Sequence, residues 1–208
     1  MLIKLNILYR KMNNKNLEIK QILTLAYENH KKNNLQLAES LYKKILVIDP
    51  NHIDTNYLFG TLILQKRNFD EAIKILNNVI KLNPNHFNAM HNISYALIEK
   101  GEYKKAEELL NTVINIKPNH VEAHYNLGNI YKHFAEFEKA EKFYKKAIEI
   151  NPKNAKAFNN LGNILKDLGK FDEAINSYKT AIKLQNNHAN AYHNLGNTYK
   201  QLGEFKKA

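Results

Sequence analysis

Apolar and small residues recur along this chain in steps of three and four, and the whole pattern returns every 34 residues. The four prolines, Pro50, Pro84, Pro118 and Pro152, set the period. With proline at position 32, the frames run 19–52, 53–86, 87–120, 121–154 and 155–188, with a partial sixth at 189–208. Positions 4, 7, 8 and 11 fall on one face of a 3.6-residue helix. They read His124, Leu127, Gly128 and Tyr131 in one frame, and Phe158, Leu161, Gly162 and Leu165 in the next. Positions 17, 20, 24 and 27 make the stripe of a second helix: Phe171, Ala174, Tyr178 and Ala181. Glycine at position 15 (Gly101, Gly169, Gly203) closes the first helix, and proline stops the second. Position 20 is alanine in every frame, from Ala38 to Ala208, and position 8 is often glycine, so the two helices are expected to approach closely there. Each helix of about 14 residues would be roughly 21 Å long.

A helix–turn–helix unit of 34 residues with these small and aromatic columns resembles the tetratricopeptide repeat. The resemblance covers residues 19–208. It implies an all-α fold, a right-handed superhelical α-solenoid of antiparallel helix pairs, with the first helices lining a concave groove. Departures are mild. Position 27 is Ile45, Val79 and Val113 before becoming Ala147 and Ala181, Asn186 replaces a proline, and Asn29 stands at the apolar position 11. Residues 1–18 form an N-terminal extension, either disordered or a short helix, and translation from Met12 rather than Met1 is an alternative start. The sixth frame stops at position 20 without a polar capping helix, so a continuation beyond Ala208 is expected.

Charge changes this picture little. The net charge is +11, but no frame carries more than two net positive charges, and only Arg10 and Arg67 are arginines. Nucleic-acid surfaces concentrate basic residues, with Arg prominent, so a lysine-coated solvent face is expected and nucleic acid is not. No apolar run reaches the roughly 20 residues of a membrane span, so no membrane partner is expected. The absence of cysteine suits the cytoplasm.

What remains is the outward stripe of the first helix, positions 2, 5, 6, 9, 12 and 13. Position 6 carries Asn92, Asn126, Asn160 and Asn194; position 9 carries Asn129, Asn163 and Asn197; position 12 carries Lys132, Lys166 and Lys200. An amide both donates and accepts, and so can pair with a peptide backbone of any sequence. Packed helices about 8–10 Å apart match three residues of extended chain, about 10 Å. These ten residues are therefore the candidate peptide-binding set, and the lysines favour an acidic ligand. Copying of one ancestral repeat would also propagate neutral asparagines, which leaves a merely solvated face as the alternative.

A similar column at position 6 occurs in the repeat arm of protein O-linked N-acetylglucosamine transferases, where the implied role is holding substrate polypeptide along the groove. The family's two-carboxylate clamp is not matched, because His91, Tyr95 and Asn160 stand where Lys, Asn and a basic residue are required, although Asn126 and Lys156 fit. Histidines at position 34 (His52, His86, His120, His188) are spread along the repeats, whereas metal ligands must converge on one ion. No nucleophile, base and orienting group form a set. The expected function is a non-catalytic scaffold binding a protein or an extended peptide, with no cofactor. The alternative is the substrate-recruiting arm of a larger transferase whose catalytic domain lies beyond residue 208.

Overall fold

The computed structural model describes the backbone of residues 2–203 and the side chains of residues 15–203. Start-codon choice at Met1 or Met12 and the incomplete second helix at 204–208, Ala208 included, lie outside the described residues. Eleven helices and no strands are described: α1 (Leu2–Lys31), α2 (Leu35–Ile48), α3 (Ile53–Gln65), α4 (Phe69–Leu82), α5 (Phe87–Glu99), α6 (Tyr103–Ile116), α7 (Val121–His133), α8 (Phe137–Ile150), α9 (Ala155–Asp167), α10 (Phe171–Leu184) and α11 (Ala189–Gln201). Odd-numbered helices are the first helices of the frames and even-numbered ones the second. The chain divides into two compact units, Met1–Gly101 and Glu102–Ala208. None of the described helices is long and apolar enough to cross a membrane.

Turn chemistry explains why the helices stop where they do. At position 15 all six residues are left-handed: Gly101, Gly169 and Gly203 at φ 73–77°, and also Asn33, Arg67 and Ala135 at φ 62°, 61° and 56°. At Ala135 the backbone N–H donates to Lys132 O, and that of Glu136 to Tyr131 O, the paired bonds that satisfy the last carbonyls of a helix. Glycine was expected to close the first helix where it stands at this position; the hydrogen bonds impose the same conformation even where a Cβ opposes it. Likewise, Gln185 before Asn186 is as extended (φ −141°) as the residues that precede prolines, so this turn forms without proline.

In the hairpins α3–α4, α7–α8 and α9–α10, the side chain at position 24 lies on the glycine at position 8. A Cβ on Gly128 would come within 2.7 Å of the Tyr144 ring, one on Gly162 within 2.5 Å of Tyr178, and one on Gly60 within 2.7 Å of Leu76. The two tyrosines are fully buried, and burial pushes both phenols well above their ordinary range. A buried hydroxyl needs a partner. Tyr144 donates to Asn129 Oδ1 (2.7 Å) and Tyr178 to Asn163 Oδ1 (2.9 Å). In the first unit, Tyr42 reaches His30 Nδ1 instead (3.3 Å) and packs among Ala26, Phe59 and Leu62.

First helices are buried more widely than their expected stripe. Position 3 (Thr55, Ala89, Ala123, Ala157, Ala191) and position 10 (Leu62, Ala96, Ile130, Ile164, Thr198) are fully buried. The reason is visible at α9, which packs against α8, α10 and α11, so only a narrow strip stays free. Asn29, polar at an apolar position, is accommodated because its amide donates to Leu25 O (2.8 Å) and its oxygen accepts from Asn34 (3.2 Å).

Two outcomes follow for stability, read from the midpoint and slope of urea unfolding. Ala135→Gly should stabilise the chain by about 0.5–1 kcal/mol, because it relieves a left-handed alanine. Gly128→Ala should cost about 1–3 kcal/mol, because the new methyl meets the ring of Tyr144.

Candidate functional site

In the second unit the outward strips of α7, α9 and α11 bound a cleft of about 360 Å³, lined by Tyr125, Lys156, Asn159, Asn160, His188 and Asn190 among others. Asn160 is among its lining residues. Its amide donates to Tyr125 Oη and to Asn129 Oδ1, both at 3.1 Å, while its own oxygen accepts from Asn159 (3.3 Å). Asn194 in turn donates to Asn159 Oδ1 (3.0 Å). A hydrogen-bonded row therefore runs from Tyr144 through Asn129, Asn160 and Asn159 to Asn194, joining three successive first helices. Asn92 does the same in the first unit, donating to Thr61 Oγ1 of the preceding first helix at 3.1 Å.

The expected asparagine ladder is therefore placed differently from its reading as an outward face. Asn92, Asn126, Asn129, Asn160, Asn163 and Asn194 are all half-buried. Position 6 meets position 9 of the preceding first helix at Asn92–Thr61 and Asn160–Asn129, because within each unit these helices pack side by side. Asn129 and Asn163 spend their oxygens on tyrosine hydroxyls, and among the described residues their amide groups have no acceptor. Asn197 is exposed, with its amide 2.9 Å from His193 Nε2. Of the lysines, Lys132 and Lys200 are exposed, and Lys166 is half-buried 3.8 Å from the Asp167 carboxylate. Only Asn160 of the ten candidates lines the cleft.

Of the other cleft residues, Tyr125, Lys156, Asn159 and Asn190 stand at positions 5 and 2, and Gln185, Asn187, His188 and Ala189 lie in or beside the turn before α11; none was singled out for peptide binding. Position 5 reads Tyr125, Asn159 and His193 in successive frames, and position 2 reads Glu122, Lys156 and Asn190, so neither forms a column. The signal that marks Tyr125, Lys156, Asn159 and Asn190 is their place on the outward strip. Lys156 is exposed, and among the described residues it makes no ion pair, which leaves its ammonium available to a ligand.

Position-34 histidines have a role of their own, each capping a first helix through Nδ1. Among the described residues no cluster of three or more His, Asp or Glu side chains comes together as a metal site.

Models of the tetratricopeptide repeat match residues 30–94 and 64–129, 121–154, and 143–176, and a TPR repeat model matches residues 162–203. No curated protein matches the chain in sequence. Among solved structures, MamA protein is 25% identical, with 82% of this chain and 93% of that chain covered at a TM-score of 0.70. YrrB, described as a TPR protein with an unusual peptide-binding site, is 21% identical over 83% of this chain and 89% of its own, at a TM-score of 0.67. PilF of Pseudomonas aeruginosa, 14% identical over 92% of this chain and 87% of its own, reaches a TM-score of 0.82 and shares the fold. The family matches run without a gap from residue 30 to residue 203, and with eleven helices alternating on a 34-residue period, this chain belongs to the tetratricopeptide repeat family.

Proposed function

We propose that the chain is a protein-interaction scaffold whose second unit holds an extended, acidic segment of its partner along α7, α9 and α11. One observation carries this reading: besides Asn159 and Asn160, the cleft is lined by the amides of Gln185, Asn187 and Asn190, the Tyr125 phenol and the Lys156 ammonium, with no carboxylate among its lining residues. Amides suit a peptide backbone, and Lys156 suits an aspartate or glutamate side chain. The fixed row of Asn129, Asn160 and Asn194 supports it by holding the wall rigid, which lowers the cost of ordering a ligand. That YrrB is described as having a peptide-binding site gives the ligand class to test. No observation favours a transferase arm over a scaffold, and the scaffold is the reading adopted.

Because Asn160 joins helices, Asn160→Ala should lower stability by about 1 kcal/mol and would confound a binding assay. Lys156, exposed and unpaired, gives the cleaner test. Acidic and neutral peptides of matched length are to be titrated against the chain by fluorescence anisotropy. Acidic peptides should bind more tightly, and Lys156→Glu should weaken them roughly tenfold, with helical content unchanged. Equal affinity for both peptide classes, or for both proteins, would remove the assignment.

A further inference from the structure

Five turns lead into a first helix, and four of them end on histidine, His52, His86, His120 and His188; the fifth ends on Asn154. In each of the four, imidazole Nδ1 accepts the backbone N–H three residues on: Thr55 at 3.2 Å, Ala89 at 3.1 Å, Ala123 at 3.1 Å and Ala191 at 3.3 Å. Asn154 does the same work with its amide oxygen, accepting from Ala157 at 3.0 Å. A ring nitrogen accepts only with a free lone pair. A proton on Nδ1 turns that acceptor into a donor facing another N–H. It also places positive charge at the helix N-terminus, where the macrodipole opposes it. The oxygen of Asn154 takes up no proton in this range.

We infer that the histidine caps are an acid-sensitive device: mild acid releases the starts of α3, α5, α7 and α11 while leaving that of α9 capped. The inference stands on cap geometry and does not depend on the peptide reading.

The surroundings differ from cap to cap. His52 follows Asp49 and precedes Asp54 in the first turn of α3, and Thr55 Oγ1 is a further 2.9 Å neighbour of its Nδ1. The His86 ring lies tilted against Tyr57 of α3, with ring centres 4.8 Å apart. His120 has the Glu122 carboxylate 3.7 Å away, with Lys117 and His124 nearby. Burial outweighs Glu122 and, helped by Lys117, holds the His120 imidazole below its ordinary value. The unfolded chain then takes up this proton first. The stabilisation from His120 is full above the ordinary imidazole range and is lost as pH falls through the lowered folded value. His188 shares the cleft wall with Lys156 of α9 and Tyr125 of α7, so a proton there adds a second positive charge to the cleft.

The test is an amide NMR titration of the whole chain from about pH 8 to about pH 5, the range of imidazole protonation. The N–H signals of Ala89, Ala123 and Ala191 should shift with pH, and their hydrogen exchange, corrected for intrinsic rate, should become about fivefold faster, as expected for losing a cap worth about 1 kcal/mol. Ala157 should stay level. His188→Asn should abolish the response at Ala191 alone, and Asn154→His should create one at Ala157. Three pH-independent amides in the unaltered chain would overturn the inference, whether or not the variants fold. So would a response at Ala191 that survives His188→Asn.

Discussion

The contact on which the hairpins α3–α4, α7–α8 and α9–α10 depend is a large side chain of the second helix laid on a glycine of the first. Tyr144 on Gly128 and Tyr178 on Gly162 bring helix backbones close and bury an aromatic ring that carries a hydroxyl. That hydroxyl creates a debt, because a buried donor without a partner costs about 1–3 kcal/mol. Asn129 and Asn163, one residue past the glycines, accept it. Where leucine stands at position 24, as Leu76 does on Gly60, there is no hydroxyl to satisfy, and position 9 is Thr61.

This requirement reaches into the cleft of the second unit. Asn129 also accepts from Asn160, so the side chain that completes one hairpin also fixes the next first helix beside it. Hairpin closure, helix-to-helix spacing and the wall of the cleft are thus set by one row of hydrogen bonds. A wall held in this way is a rigid support for the side chains beside it, Lys156 and Tyr125, which differ from frame to frame.

Recurrence along the sequence proved a guide to structure. Histidine at position 34 makes the same cap bond in each of its four repeats, and asparagine at position 9 accepts a tyrosine hydroxyl at both Asn129 and Asn163. Residues that meet a ligand need not be alike in successive repeats, since an extended peptide presents a different side chain to each. The bland columns misled for a related reason. Alanine at position 3 gives no hydrophobic signal, yet Ala123, Ala157 and Ala191 are fully buried, and it is this second buried flank that narrows the free strip.

The sequence by itself determined the period, the helical hairpins, their turns and the family, because these follow from local spacing: 3.6 residues per turn, small residues opposite large ones, and breakers at fixed intervals. Only the tertiary structure decided which polar side chains are spent and which are free. Whether Asn160 faces solvent or donates to Tyr125 and Asn129 depends on residues 35 and 31 positions away, brought within 3.1 Å by side-by-side packing of first helices. No pattern along a single helix encodes that distance. Lys156, by contrast, is left free because neighbouring helices set no carboxylate against it, which is a property of the assembled face and not of the residue.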